Sequence, residues 1–355
     1  MSIEACFKLA YPGFSLDVDL TLPSSGITAL FGQSGSGKTS LLRAIAGLER
    51  VAGGRLVVDG DVWQDDGIFL PTHRRPIGYV FQEASLFAHL NVLDNLRYGM
   101  KRITGEQQFN LDKAIGLLGI EHLLDRRPER LSGGERSRVS IARALAVNAS
   151  LLLMDEPLAA LDLRRKREIM PYLERLREEL DIPIIYVSHA SDEVARLADH
   201  IVALDKGRVL ASGPLVETLA RLDLPIRLGE EVGAILDAVV GEIDEKWHLM
   251  RVDFPGGGLW TRSLGLPPGR RVRVHVLARD VSLARQRPEQ ISIQNVMRGQ
   301  VDEIVGDDHP GLALVRIRVG DSILLSRLTR RAADNLGIAR GEDVWVQIKS
   351  VALME

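Results

Sequence analysis

A glycine-rich segment near the start of the sequence has the residue types needed to bind phosphate. Its residues are Gly32, Gln33, Ser34, Gly35, Ser36, Gly37, Lys38, Thr39 and Ser40. Glycines at this spacing let backbone N–H groups converge on phosphate oxygens, and Lys38 adds a positive charge beside the β- and γ-phosphates. The Thr39 hydroxyl is a suitable ligand for Mg²⁺. The segment therefore predicts a P-loop that binds a nucleotide together with Mg²⁺.

Two adjacent carboxylates, Asp155 and Glu156, supply the other half of a phosphate-hydrolysing site. They follow the apolar run Leu151–Met154. Asp155 is predicted to help hold Mg²⁺, directly or through a water molecule, and Glu156 to polarise the attacking water. Together with the P-loop, the pair predicts hydrolysis of a nucleoside triphosphate.

The hydrophobic pattern indicates which elements position these residues. A buried-strand pattern, Ile27–Phe31, precedes the P-loop, and a helical stretch, Thr39–Leu48, follows it. Further buried strands are predicted at Ser150–Met154 and Ile182–Val187, and apolar residues recur at helical spacing across 164–180. Strands that alternate with helices predict an α/β fold with parallel strands.

The sequence changes character after Pro225, where short β-like runs are separated by Gly and Pro. We expect an ATPase-type domain at residues 1–228 and a separate β-rich domain at residues 229–355.

A weak internal repeat runs through the second part. Gly241–Glu245 resembles Gly299–Glu303, and Val274–Leu283 resembles Val344–Leu353. Two similar small barrels, each closing its own sheet, would explain the repeat. Chance similarity between β-rich segments is the alternative.

Composition limits the class of protein and its location. The 45 basic and 48 acidic residues give a net charge of −3, so we expect no nucleic-acid partner. The single cysteine, Cys6, argues against a disulfide scaffold and fits a reducing cytosol. We expect no signal peptide. The apolar runs are also shorter than the roughly 18 residues needed to span a membrane, so another chain would have to span it.

The segment Leu131-Ser132-Gly133-Gly134-Glu135 resembles the signature motif of ABC ATPases, with Glu135 where the motif has Gln. A predicted helix, Arg136–Ala146, follows directly, and a helix N-terminus binds anions. The resemblance implies that Ser132, Gly133 and Gly134 cap the γ-phosphate of ATP bound by a second copy. The protein is then expected to act as a homodimer that holds two ATP molecules.

Further motifs of the same family follow in the expected order. Gln82 matches the Q-loop glutamine, which implies contact with Mg²⁺ and the attacking water. Asp162 matches the D-loop, although Ala159 stands where that motif often has Ser. His189 matches the switch histidine near the γ-phosphate.

The motifs between residues 11 and 189 match ABC ATPases in order and spacing. The resemblance implies an α/β P-loop NTPase, the ABC cassette, with a mixed sheet and a helical subdomain, followed by a β-rich OB-like barrel domain. In this family an aromatic residue stacks on adenine. Tyr11 has the matching spacing, and Phe14 is the alternative.

The tail resembles molybdate-binding (Mop-type) domains. The segment Ser292-Ile293-Gln294-Asn295 is similar to their Ser-Ala-Arg-Asn start, and Val346–Ser350 is similar to their close. The resemblance implies a Mop-type barrel at about 288–355, with Ser292, Asn295, Lys349 and Ser350 as candidate ligands of a molybdate or tungstate ion. Hydroxyl, amide and lysine donors suit a compact dianion. Because Gln294 replaces the family's Arg, a barrel that only dimerises or contacts regulators is the alternative.

The whole chain most resembles the ATPase subunits of molybdate importers, notably in Gly26–Leu30, Pro76–Tyr79, Asn95–Met100 and Pro171–Leu173. The resemblance implies ATP hydrolysis that energises uptake of molybdate or tungstate, by a peripheral protein on the cytoplasmic face of the inner membrane. Expected partners are a second copy, transmembrane permease subunits and, through the permease, a periplasmic oxyanion-binding protein. The alternatives are a sulfate/thiosulfate or ferric-iron importer subunit and, in another class, an oxyanion-binding storage module.

Overall fold

The computed structural model describes residues 2–100, 111–223 and 232–354, and its contacts divide the chain into two compact units, Met1–Pro214 and Leu215–Glu355. The predicted boundary between residues 228 and 229 lies outside the described residues and stays a prediction. Across those described ranges, every helix is too short or too polar to cross a membrane.

The first unit is built on one mixed sheet. Its strands are β1 Ser2–Tyr11, β2 Phe14–Pro23, β3 Ile27–Phe31, β4 Arg55–Val58, β5 Asp61–Gln64, β6 Ile77–Val80, β7 Leu151–Asp155, β8 Ile184–Val187, β9 His200–Asp205 and β10 Arg208–Pro214. Its helices are α1 Lys38–Ala46, α2 Val92–Met100, α3 Leu111–Leu118, α4 Gly133–Leu145, α5 Leu163–Glu179 and α6 Ser191–Leu197. The strand order is β5-β4-β1-β2-β10-β9-β3-β8-β7-β6.

The centre of this sheet is parallel, as the alternation of strands and helices predicts. Strands β9, β3, β8, β7 and β6 pair in parallel, and all five residues of β7 are buried. Strands covered on both faces read as continuous apolar runs, which is the pattern in β3, β7 and β8. The β1–β2 hairpin is antiparallel, and β2 alternates between buried and exposed residues because only one of its faces meets the core.

Helices α1 and α4 lie on opposite faces of the central sheet. Alternate residues of β7 point to opposite faces. Leu151 and Leu153 belong to the same apolar cluster as Leu41 and Leu42 of α1, whereas Leu152 belongs to the cluster that contains α4. The two helix N-termini predicted to bind phosphate therefore belong to different layers of one chain.

The second unit is β-rich, as predicted. It begins with α7 Leu215–Leu219 and continues with β11 Gly233–Asp244, β12 Leu249–Phe254, β13 Gly257–Arg262, β14 Arg271–Leu277, β15 Val281–Ala284, β16 Asn295–Gly306, β17 Leu312–Val319, β18 Ser322–Thr329, α8 Arg330–Leu336, β19 Asp343–Ile348 and β20 Ala352–Met354. One sheet has the order β13-β12-β11-β14-β20 and the other the order β18-β17-β16-β19-β15.

The internal repeat is visible in these two sheets, because the last strand of each repeat pairs in the sheet of the other repeat. The repeated segment Val274–Leu283 covers the second half of β14 and most of β15, and its counterpart Val344–Leu353 covers most of β19 and of β20. Strand β15 pairs with β19 of the second repeat, and β20 pairs with β14 of the first. Apolar residues of both repeats also form one cluster, which includes Val252 and Ile317. The repeats are therefore one folded unit rather than two separate barrels.

A buried arginine, Arg75, fixes the C-terminal end of α1. Its Nη1 donates to the carbonyls of Ala44 at 3.1 Å and Ile45 at 2.5 Å, and its Nε donates to the Leu70 carbonyl at 2.7 Å. The guanidinium also lies over the Trp63 ring. Burial lowers the pKa of Arg75 to about 10, which still leaves it charged at neutral pH. A cation suits the negative end of a helix dipole.

We expect Arg75→Ala to lower the free energy of unfolding of the first unit by about 2–4 kcal/mol, because it removes the donor to the carbonyls of Ile45 and Leu70. Urea unfolding of the purified chain measures the change. The matched control is Arg55→Ala, which removes a half-exposed ion pair with Glu4 and should cost less than about 1 kcal/mol. Equal effects of the two substitutions would contradict the capping role of Arg75.

Candidate functional site

The P-loop lies between β3 and α1, and two of its glycines are required by close packing. A Cβ at Gly32 would lie 2.2 Å from the carbonyl oxygen of Leu204. A Cβ at Gly37, where φ is +102°, would lie 2.9 Å from the side chains of Phe14 and Leu16. Without side chains at these positions, the loop curls tightly and α1 begins directly behind it at Lys38.

Lys38 crosses the inside of this loop. Its Nζ donates to the carbonyls of Gly32 and Gln33, each at 2.8 Å. Burial lowers the pKa of Lys38, and the nearby carboxylates of Glu156 and Asp155 oppose that shift. The structure thus places the one ammonium group of the P-loop close to the two predicted catalytic carboxylates.

Thr39 and Asp155 meet where α1 begins and β7 ends. The Thr39 hydroxyl donates to Asp155 Oδ1 at 3.0 Å, and the Tyr79 hydroxyl lies 3.4 Å from Asp155 Oδ2. Burial raises the pKa of Asp155 and the charge of Glu156 raises it further, while the hydrogen bonds from Thr39 and Tyr79 oppose the rise. A hydroxyl and a carboxylate form the hard oxygen set that Mg²⁺ prefers, so these residues fit the predicted metal.

Glu156 and His189 are brought together by neighbouring parallel strands. Asp155 pairs with Val187 in the register of β7 and β8, so the residues just beyond the two strand ends are adjacent. Glu156 has a positive φ of 45°, and its Oε1 lies 3.1 Å from His189 Nδ1. The imidazole tautomer with a proton on Nδ1 donates to this carboxylate. The arrangement is that of a general base held by a histidine.

Gln82 lies at the same edge of the sheet. Val80 at the end of β6 pairs with Met154 of β7, so Gln82 follows β6 as Glu156 follows β7. The Gln82 side chain is exposed. Its predicted contact with Mg²⁺ and water stays a prediction.

The Ser132 turn forms a complete helix cap. Ser132 Oγ accepts from the Glu135 backbone N–H at 3.2 Å, and Glu135 Oε2 accepts from the Ser132 N–H at 2.7 Å. This reciprocal pair is a capping box. Burial raises the pKa of Glu135, but its bonds to Ser132 and the charges of Arg126 and Arg138 outweigh that effect, so the pKa lies below its ordinary value. Glu135 is therefore a carboxylate at neutral pH.

Asp162 lies near this turn. Its Oδ1 accepts from the Arg165 N–H at 2.9 Å and caps α5. Ser132, Gly134 and Asp162 line one cavity of about 660 Å³, together with Arg138 and other residues. The structure thus brings together the predicted signature and D-loop residues.

The candidate oxyanion residues of the tail lie next to the ends of β16 and β19. Asn295 pairs with Ile348 in the sheet register, but its amide is used by the Trp260 backbone, with bonds of 2.7 and 3.0 Å. Ser350 Oγ donates to Asp280 Oδ2 at 2.7 Å. The side chains of Lys349 and Ser292 are exposed.

Comparison with known proteins finds a matching family model in each of the two units. Residues 16–159 match the family model described as ABC transporter, and residues 291–354 match the TOBE domain model. The protein named molybdenum import ATP-binding protein ModC from Methylococcus capsulatus is 70% identical, over 99% of each chain. The ModC protein of Thiobacillus denitrificans is 64% identical, over 99% of this chain and 98% of its own.

The chain belongs to the ModC family of ABC transporter ATP-binding proteins. It is an ATP-binding, ATP-hydrolysing transporter subunit, and the predicted family and fold class are confirmed.

Solved structures of ABC cassettes resemble the first part of the chain. The dimeric structure of the cassette MJ0796 in a post-hydrolysis state with ADP and Pi is 26% identical with a TM-score of 0.50, and covers 60% of this chain and 98% of its own. The cassette cbiO1 from Clostridium perfringens is 28% identical with a TM-score of 0.53, over 62% of this chain and 90% of its own.

The departure from the family signature at Glu135 has a simple physical consequence. The capping box accepts Glu or Gln at this position. Glu135 therefore preserves the Ser132 turn, while it adds a negative charge beside a predicted phosphate site.

Sequence reasoning missed Tyr79, whose hydroxyl approaches Asp155. Tyr79 belongs to β6, a short strand next to buried β7. A tyrosine in such a place usually needs a partner for its hydroxyl, and that is the signal in the sequence that indicates a polar neighbour.

The two aromatic candidates for the adenine site lie side by side at the β1–β2 turn. The rings of Tyr11 and Phe14 are 6.3 Å apart. Phe14 packs towards Gly37, whereas Tyr11 is 39% exposed and its hydroxyl donates to Glu49. Phe14 is thus part of the P-loop packing, and Tyr11 presents the more open ring.

We expect Tyr11→Ala to weaken ATP and ADP binding about tenfold, because stacking on a base contributes about 1–3 kcal/mol. The hydrolysis rate at saturating ATP should stay unchanged. Equilibrium titration with a fluorescent nucleotide measures the affinity. Tyr11→Phe, which keeps the ring and loses the bond to Glu49, is the matched control and should bind like the parent. Equal affinity of Tyr11→Ala and the parent would exclude Tyr11 as the base platform.

Proposed function

We propose that two copies of this chain hydrolyse ATP between them and thereby drive uptake of molybdate, or its close analogue tungstate, through transmembrane permease subunits. The proposed place of action is the cytoplasmic face of the inner membrane. The observation that carries the hydrolytic part is the 3.1 Å approach of His189 to Glu156, next to the P-loop that holds Lys38 and Thr39.

In this proposal each residue has a distinct role. The backbone N–H groups of the P-loop and Lys38 bind the phosphates. Glu156 polarises the attacking water, and His189 holds the Glu156 carboxylate in position. Thr39, Asp155 and Gln82 would hold Mg²⁺, which would neutralise charge on the β- and γ-phosphates.

A second copy is needed because one chain separates the two phosphate-binding turns. Helix α1 lies on one face of the sheet and α4 on the other. The Ser132 turn and Asp162 line a common cavity, so both would face the nucleotide of a partner. The dimeric structures of the similar cassette MJ0796 support the formation of a pair.

Molybdate is favoured as the transported ion by full-length similarity to proteins named for molybdenum import. Selection of the ion and the direction of transport belong to the permease and to the periplasmic oxyanion-binding protein that docks on it. An importer of sulfate, thiosulfate or ferric iron is the competing assignment. Uptake assays with labelled molybdate and sulfate in a strain that lacks this chain distinguish the assignments.

We expect Glu156→Gln to lower the hydrolysis rate at least about 100-fold while it preserves ATP binding, because the amide cannot serve as the base. A stable dimer should then accumulate in the presence of ATP, and light scattering after size-exclusion chromatography measures it. The control is Glu156→Gln combined with Lys38→Ala, which should stay monomeric because it loses the phosphate-binding cation. Hydrolysis at the parental rate by Glu156→Gln would contradict the assigned base.

For the tail, we propose that Lys349, Ser350 and Ser292 donate to the oxyanion and that Asn295 supports them from behind through its bonds to Trp260. Asp280 opposes this binding, because its carboxylate lies 2.7 Å from the Ser350 hydroxyl. The test requires the whole chain, because β15 and β20 each pair in the sheet of the other repeat.

We expect Asp280→Asn to bind molybdate about threefold more tightly than the parent chain, because it removes a repulsive charge. Lys349→Gln should bind about tenfold more weakly, because it removes a charged donor. Calorimetric titration with molybdate, tungstate and sulfate measures both changes. Identical affinities for molybdate in the parent chain, Asp280→Asn and Lys349→Gln would exclude this site.

A further inference from the structure

A buried carboxylate, Glu193, lies behind the loop that carries His189. Glu193 belongs to the first turn of α6 and is only 3% exposed. Its Oε2 accepts from the hydroxyls of Tyr186 and Ser188, each at 2.8 Å, and its Oε1 accepts from Lys166 Nζ at 2.7 Å. A buried carboxylate without such donors would be strongly unfavourable, so the three groups must keep this arrangement.

The bonds to Glu193 fix the backbone next to His189. Ser188 Oγ donates to Glu193 and also accepts from the Ala190 N–H at 3.0 Å. The residues on both sides of His189 are thereby held by one hydroxyl. Burial raises the pKa of Tyr186 well above its ordinary value, and the charge of Glu193 raises it further, so the phenol keeps its proton and remains a donor.

Lys166 connects the same carboxylate to the start of α5. Its backbone N–H donates to the Asp162 carbonyl at 2.9 Å, within the first turn of that helix. Asp162 caps this turn through its side chain. A continuous set of hydrogen bonds therefore runs from Asp162 through Lys166 and Glu193 to Ser188, and ends beside His189.

Apolar residues also hold both helices on the sheet. Ile169 and Leu173 of α5 and Leu197 of α6 lie in one apolar cluster with Tyr186. Apolar contacts of this kind hold helices without directional constraint. The hydrogen bonds add direction, because each fixes the orientation of a particular group.

We propose that Glu193 and Lys166 are positioning residues for hydrolysis, which couple the Asp162 end of α5 to His189 and so align the Glu156 carboxylate. This inference rests on the proposed roles of Glu156, His189 and Asp162. A partner copy that docks against Asp162 sets the position of the first turn of α5. Through the Lys166–Glu193 pair, the position of this turn then determines the position of the loop that holds His189.

We expect Lys166→Met to lower kcat for ATP hydrolysis about tenfold, because the catalytic carboxylate loses part of its alignment. KM and the affinity for a fluorescent nucleotide should stay within about twofold, since Lys38 and its loop are untouched. Lys166→Arg, which keeps the cation, should recover kcat to within about threefold. Glu193→Gln should behave as Lys166→Met does.

The matched control is Arg175→Met, which breaks an exposed ion pair with Glu179 on the same helix and should hydrolyse ATP like the parent. Parental kcat in Lys166→Met and Glu193→Gln would overturn the inference. So would a fall in kcat that matches the loss of folded protein, measured by thermal denaturation, or failure of both variants to fold. If either variant alone fails to fold, the other decides.

Glu156→Gln assayed in parallel separates this inference from the proposed function. Loss of activity in Glu156→Gln with parental activity in Lys166→Met and Glu193→Gln removes only the positioning role. Parental activity in Glu156→Gln removes the proposed base, and the positioning role with it.

Discussion

The parallel pairing of β3, β8, β7 and β6 is the constraint on which the site depends. Parallel strands end at a common edge, so the segments that follow them meet there. Asp155 ends β7 and Glu156 follows it, His189 follows β8, Gln82 follows β6, and the P-loop follows β3. The edge thereby gathers an ammonium group, two carboxylates and an imidazole. These are the groups that a metal-bound triphosphate and an attacking water require.

The same sheet gives a physical reason for the proposed sharing of catalysis between copies. Its two faces are covered by different helices, so the N-termini of α1 and α4 belong to different layers of one chain. Each N-terminus is a favourable site for an anion. In the proposed dimer, a phosphate uses both because a second chain supplies the Ser132 turn. The Lys166–Glu193 pair lies between the Asp162 end of α5 and the loop that carries His189, so it would connect the proposed dimer contact to the proposed catalytic residues.

Much of this could be predicted from local sequence. The P-loop, the carboxylates at the end of β7 and the histidine after β8 are short segments with fixed order, so their spacing defines them. The strand predicted at Ile182–Val187 begins later, at Ile184, because Pro183 has no N–H to pair. The Glu193 network and the exchange of β15 and β20 were not predictable, since they join residues far apart in the chain. The bond from Ser350 to Asp280, which joins the two repeats, was not predictable either. The roles of Ser292, Asn295, Lys349 and Ser350 stay predictions.

The most direct test of the shared site is a cross-link between the P-loop of one copy, at Ser34, and the Ser132 turn of the other. Cys6 is the single cysteine, so two chains that both carry Cys6→Ser and Glu156→Gln, one with Ser34→Cys and the other with Ser132→Cys, can be mixed, and each chain alone is the control for links between like positions. The account predicts a disulfide-linked dimer with ATP and a monomer without it, read on a non-reducing gel. A chain that binds ATP and yet forms no cross-linked dimer would contradict it.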